Sequence, residues 1–379
     1  MTTKRITLLC IAAAAIIMSF IFLYAGHFSS EKQKSAIPPA PSTAPEAAAE
    51  EDSGVTYEHL TETIGGNKQE INLLRVDVSK PGVKILPVLS HDLIYGFENL
   101  SVMASRKSAY AAVNGGFFTE YGLPSGMVAI DGSLVAGSTG KYPVFTVSGG
   151  KASLGEVKSS LWLDYGSGRL KIDKFNSPIK SGEGAVYTPY YGGTNRIHSE
   201  NLTVTVKNGL VADIGIYKDE VEIPDHGMLI TFMNVEASYP DGLPIKRGDT
   251  AGIIHEPGLP ADLQAYECGN WLVKDGSVVA KEKDEWVGVM TNRDPRTAVG
   301  ITQNGIVLLL TVDGRQPGYS AGLTGRELAE YLLGLGAVNA AMLDGGASTE
   351  MIVDDKIVNR PSFKGQERPL AGCLAVIAR

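Results

Sequence analysis

From Val55 onward the chain alternates short apolar runs with glycine-containing turns: "AIDGSLVAG", "TVSGGKASL", "TVKNGLVADI", "LVKDGSVVA" and "GITQNGIVLLLTVDG". Asp-Gly and Asn-Gly between β-branched segments are the residues that tight hairpin turns demand, because both central positions need positive φ. Antiparallel hairpins are therefore expected to build much of the molecule. Two stretches change to helical spacing, Phe97 to Ser108 and Thr324 to Gly336. In the second, Thr324 and Glu327 have the spacing of a capping box, Leu328, Leu332 and Leu333 make an apolar face, and Gly334 or Gly336 can end the helix. Each helical stretch runs into a strand of small apolar residues that stops at a polar side chain and two glycines, "AYAAVNGGFF" and "AVNAAMLDGGAS". Strands without polar alternation belong in the middle of a sheet covered on both faces. The fold class expected is α+β, a β-rich mixed sheet with few helices, preceded by an N-terminal transmembrane anchor.

That anchor is read from Lys4 and Arg5, followed by an uncharged stretch from Ile6 to Gly26 long enough to cross a bilayer. Residues 28–54 are rich in Ala, Pro, Ser and Glu and lack the large apolar side chains a core requires. The organisation expected is a signal anchor over 1–27, a disordered linker over 28–54 and one domain over 55–379. The basic flank orients the domain outside the cytoplasm, as a single-pass membrane protein or, if the signal is cleaved, a secreted one. A net charge of -8 without any lysine- or arginine-rich block gives no footprint for nucleic acid. In the exported part only Cys268 and Cys373 occur, either as a pair or as two buried thiols.

Asn114 and Asp344 stand at analogous strand ends. They are expected at the ends of neighbouring central strands, with side chains opening into one cleft lined by Gly115, Gly116, Gly345 and Gly346. The bland alternative is two turn residues bonding their own backbone. Asp313 closes another strand before a glycine, with Arg315 two residues on. Arg293 and Arg296 flank Asp294 and Pro295 in "TNRDPRTAVGI", where a guanidinium could grip a planar oxyanion. The competing fate is a salt bridge with Asp294, Asp313 or Glu327. The six histidines lack metal-ligand spacing, and no nucleophile elbow, phosphate-cradling loop or dinucleotide fingerprint is present.

"AVNGGFF", "RDPRTAVGI", "VDGR", "SAGLTGRELAEYLLGLGAVNAAMLDGGAS" and "IVNRPSFKGQERPL" resemble, in order, the motifs of the phosphodiester glycosidase family. The likeness runs from about Tyr57 to Arg379 and is densest after Asn292. It implies hydrolysis of a sugar 1-phosphodiester in a cell-surface or extracellular glycan, with no required cofactor. On that resemblance Asp344 is the carboxylate that attacks the anomeric carbon or activates water, Asp313 its partner and Arg296 the phosphate clamp. Asn114, Ser348, Arg293, Arg315 and the four glycines would contact substrate. Two alternatives stand beside it. A divalent cation held by Asp313, Asp344 and Glu350 would make a phosphodiesterase that cleaves P–O. Met342 and Ala347, where the family usually has Asn and Gly, would suit a glycan-binding or exopolysaccharide-assembly protein that has lost turnover.

Overall fold

The computed structural model describes residues 53–234 and 242–378. The expected anchor over 1–27 and nearly all of the linker lie outside the described residues. Among the described residues no helix is long and apolar enough to cross a membrane.

All five expected hairpins form. At Asp131-Gly132, Gly149-Gly150, Asn208-Gly209 and Asp275-Gly276 both turn residues have positive φ, the primed-turn geometry that matches strand twist. The fifth, between Arg296–Thr302 and Val307–Val312, differs: only Gly305 has positive φ, and Thr302 closes the loop by accepting the Ile306 N–H on its hydroxyl.

Two sheets carry the site. A seven-stranded sheet runs in the order Val55–Ile64, Asn67–Val76, Val307–Val312, Arg296–Thr302, Ala337–Met342, Trp271–Lys274 and Ser277–Val278, antiparallel throughout. A five-stranded antiparallel sheet runs Lys356–Ile357, Met351–Val353, Ala111–Asn114, Gly372–Ile377 and Lys84–Leu89. Pairing is more uniformly antiparallel than a mixed sheet; the parallel pair among the described residues joins Lys174–Phe175 to Gly184–Tyr187.

Alternation along the strands shows how the layers stack. In Arg296–Thr302, Val299 and Ile301 pack with Ala111, Val113, Leu374 and Val376 of the other sheet. Ala298 points the opposite way, toward Leu328, Ala329 and Leu332 of the Gly325–Gly334 helix. On the far side, Ala112 and Ala375 meet Leu100, Met103 and Ala104 of the Leu100–Arg106 helix. The order is helix, seven-stranded sheet, five-stranded sheet, helix, so the Ala-rich strands are covered on both faces. The Gly325–Gly334 helix begins with the complete capping box of Thr324 and Glu327. Its buried stripe is Leu328, Ala329 and Leu332, while Leu333 faces outward at 37% exposure, one position beyond the expected apolar face.

Candidate functional site

The two Gly-Gly motifs meet where the sheets abut, although the strands are not neighbours in one sheet as expected. The Asp344 N–H donates to the Gly115 carbonyl at 3.0 Å, and Asn114 Nδ2 donates to the Asp344 carbonyl at 2.6 Å. Asp344 follows the Ala337–Met342 strand and is partly buried. Its Oδ1 accepts the Gly345 N–H at 2.9 Å, and its carboxylate also bonds the Ser348 side chain. Ser348 is fully buried and accepts from Arg368 Nη1 at 2.8 Å. Burial pushes the Asp344 carboxyl up to about 6, against the opposing pull of Ser348, the Gly345 N–H and Arg368. The group is therefore mostly ionised at neutral pH yet close to its titration point.

Arg315 stands against the glycine turn that follows Asp344. A Cβ added at Gly346, whose φ is +62, would lie 3.3 Å from Arg315 Nη2, so this glycine is what lets the guanidinium approach the turn. Arg315 Nε donates to Asp294 Oδ1 at 2.8 Å, and the side chain remains 52% exposed. Its Nη groups take no partner among the described residues. One edge of the fork is anchored and the other is open to an anion.

Several expected roles need correction. Arg296 is 1% exposed, and Nε donates to the Leu323 carbonyl and Nη2 to the Asn292 carbonyl, both at 2.9 Å. Nη1 faces Met290 Sδ, and burial draws the guanidinium below its usual range while Asp294 opposes the shift. It braces the loop and has no face for a phosphate. Arg293 took the competing fate: it pairs with Glu327 and donates to the Gly322 carbonyl, tying the loop to the helix start.

Asn114 has four hydrogen-bonding positions, and all are filled. Nδ2 donates to the carbonyls of Asp344 and Gly115, and Oδ1 accepts from the Thr297 hydroxyl and the Glu350 N–H. No capacity remains for a sugar hydroxyl; the residue fastens the two sheets together. Gly115 and Gly116 likewise make room for protein, because Cβ atoms there would lie 2.7 Å from Tyr266 Oη and 2.4 Å from the Glu267 carbonyl. At Gly345 the nearest atom is the Pro295 carbonyl at 3.0 Å.

Asp313 is buried, with Oδ1 accepting from Asn359 Nδ2 at 2.9 Å and Oδ2 from the Arg360 N–H at 2.9 Å and the Tyr319 hydroxyl at 3.3 Å. Burial raises its pKa, these bonds lower it and nearby Glu70 raises it further. Register places Asp313 and Asp344 on either side of Pro295 and Arg296, because Val312 and Met342 flank the strand that Arg296 starts. Two strand spacings separate them, roughly 10 Å between backbones. Asp313 thus shapes the same edge but spends its oxygens on the Asn359–Arg360 loop. Those donors also leave little for the cation alternative, which would need bare carboxylate oxygens. Among the described residues, the group whose ligand atoms lie within 4.8 Å of one another is elsewhere, the exposed trio His198, Asp219 and Glu220.

Arg368 was not singled out from the sequence, and Glu350 was named there only as a cation ligand. Arg368 reaches Ser348 with its guanidinium, while its backbone N–H donates to Glu350 Oε1. Glu350 has no exposure, and its Oε2 has no partner. Burial pushes this carboxyl up to about 8, with the Arg368 N–H opposing, so it is neutral at pH 7. The available signal was an acidic residue inside the apolar strand sequence "STEMIV".

This pair of carboxylates, one charged and one held neutral, joined through Arg368 and Ser348, lies within the region matched by a known family. Residues 200–377 match the phosphodiester glycosidase family. The phosphodiester glycosidase match includes Asp313, Asp344, Glu350 and Arg368 and leaves out the strand that delivers Asn114. The chain is 33% identical over 112 residues to the uncharacterised prophage-derived protein YomE of Bacillus subtilis, an alignment covering 30% of this chain and 17% of that one. It is 32% identical over 111 residues to bovine N-acetylglucosamine-1-phosphodiester alpha-N-acetylglucosaminidase, covering 26% of this chain and 20% of the relative. The chain thus spans about a fifth of the length of these curated relatives. The crystal structure of a hypothetical protein from Synechocystis shares the fold, with a TM-score of 0.72 at 23% identity over 86% of this chain and 62% of that one.

Proposed function

We propose that the chain hydrolyses glycosyl phosphodiesters by cleaving the bond between the anomeric carbon and oxygen. The observation that carries this reading is an ionised, partly buried Asp344 at the start of a glycine turn whose Gly346 packs against the open guanidinium edge of Arg315. A phosphate monoester is a stable anion, so its departure asks for cationic stabilisation more than for a proton. Asp344 either attacks the anomeric carbon or removes a proton from the water that does. The oxygen adds to carbon, the phosphate leaves with the electron pair of the broken bond, and Arg315 holds its oxygens; where Asp344 is itself the nucleophile, water then displaces it from the anomeric carbon and frees the sugar. Ser348 and Arg368 keep the Asp344 carboxylate oriented, and Asn114 and Asp313 fix the backbone around it.

The substrate is a glycan or sugar phosphate, and an N-acetylglucosamine 1-phosphodiester is the first compound to try, given the activity named for the bovine relative. We place the domain, residues 55–379, outside the cytoplasm, attached to the membrane through residues 1–27 and the linker 28–54. No cofactor is needed for this chemistry. Hydrolysis in water enriched in heavy oxygen tests the reaction: label in the released sugar supports C–O cleavage, whereas label in the phosphate overturns it in favour of attack on phosphorus.

A further inference from the structure

Away from Asp344, a cleft of about 440 Å³ opens where three sheets converge, within the size range of small-ligand sites. Its lining is polar and rich in hydroxyls. The hydroxyls of Ser159, Ser160 and Ser177, half-buried residues of the lining, have no protein partner among the described residues, and Ser125, also in the lining, has a buried hydroxyl with no partner. Lys171 and Lys174 line it too, and neither forms an ion pair among the described residues. Asp173 lies between them in the lining, and its carboxylate accepts the Gly184 N–H. One unsatisfied buried hydroxyl, three accessible ones and two ammonium groups against a single carboxylate suit a ligand that is both polyhydroxylated and anionic.

One residue joins this cleft to the candidate site. The Glu267 carbonyl packs against Gly116, next to the Gly115 carbonyl that accepts the Asp344 N–H. The Glu267 carboxylate packs against Gly126 and accepts the N–H groups of Met127 and Thr139 and the Thr139 hydroxyl. Gly126 and Thr139 are cleft-lining residues. From Asp344 through Gly115, Gly116 and the Glu267 side chain to the cleft wall is no more than about 25 Å. A flexible polymer held at one place can reach the other.

We propose that the cleft is a second binding site, which holds a further sugar-phosphate unit of the same polymer, with Lys171 and Lys174 against its phosphate and the serines against its hydroxyls. This rests on the glycosyl phosphodiester reading above. The test measures binding directly, so it does not depend on turnover. Calorimetry on the full chain compares glucose 1-phosphate with a phosphodiester-linked trimer of the same sugar, using Asp344→Asn protein so that the probe stays intact. The trimer is expected to bind at least tenfold more tightly than the monomer, and that gain should vanish in Lys171→Glu/Lys174→Glu protein while monomer binding stays unchanged. Ser160→Trp, which fills the cleft without altering charge, should have the same effect. A trimer that binds no better than the monomer, or equally well to all three proteins, overturns the second site. Phosphate-labelled product in heavy-oxygen water would instead overturn the proposed reaction and leave this result standing.

Discussion

Replacing Glu350 with Gln separates a buried acid from its charge at almost constant shape. Free glutamate ionises near 4.5, but in the folded protein burial pushes this carboxyl up to about 8. Between those values the unfolded chain has released the proton and the folded chain still holds it. Stability is therefore fully present below pH 4.5 and is lost as pH rises through 8. The slope is about 1.4 kcal/mol per pH unit, and the whole window is worth about 5 kcal/mol, of which about 3.5 kcal/mol falls between pH 5 and pH 8. Glutamine has no such slope. At pH 5 the variant should be the less stable protein by about 1–3 kcal/mol, because its amide hydrogens face the place where Oε2 has no partner. By pH 8 the difference should have moved about 3.5 kcal/mol in its favour, enough to reverse the order. Urea unfolding followed by tryptophan fluorescence at four pH values between 5 and 8 measures this. A difference between the two proteins that stays constant across that range would show that Glu350 is not held neutral.

Asp344→Asn should lower turnover about a hundred- to ten-thousandfold, and wild-type turnover should rise with pH through about 6, where Asp344 loses its proton; a flat profile there would argue against a working carboxylate. Arg315→Lys should weaken phosphate recognition by about 1.5–3 kcal/mol, read as a raised KM with the melting temperature unchanged. Arg296→Lys should do the reverse, lowering the melting temperature through its lost carbonyl contacts, with little effect on KM in the protein that remains folded. Protein lacking the residues before Ser53 should be soluble and as active as the full chain, which gel filtration and the same turnover assay would check.

The parts of the fold that are local in sequence were legible, and those set by long-range pairing were not. Asp131-Gly132 and Asn208-Gly209 announce their hairpins because positive φ is a property of the residues themselves. Thr324 and Glu327 announce their helix because both partners of the cap lie within one turn. The meeting of Asn114 and Asp344 could be anticipated from two similar strand endings, but nothing local shows that the strands belong to different sheets. That difference turns Asn114 from a ligand contact into a fastener. Arg296 was misjudged because an arginine beside a loop reads as exposed, whereas its fork is filled by the carbonyls of Leu323 and Asn292, the former 27 positions away. Glu350 had no motif around it; its character comes from burial, which only the packed sheets create.

The strand Gly372–Ile377 lies between Ala111–Asn114 and Lys84–Leu89 in the five-stranded sheet. Both flanking strands leave the ribosome long before it does, and at 5–20 residues per second their facing edges wait on the order of tens of seconds for the piece that joins them. Until then the edges of residues 85–89 and 111–113 that it will join lack their strand partner, and unpaired edges can pair with an extended segment of another chain. A holding chaperone or a slow passage through a translocation channel would matter most during that interval. A synthetic peptide of sequence "GCLAVI" supplied to the nascent chain should compete for these edges and trap the protein with its Asp344 turn unformed.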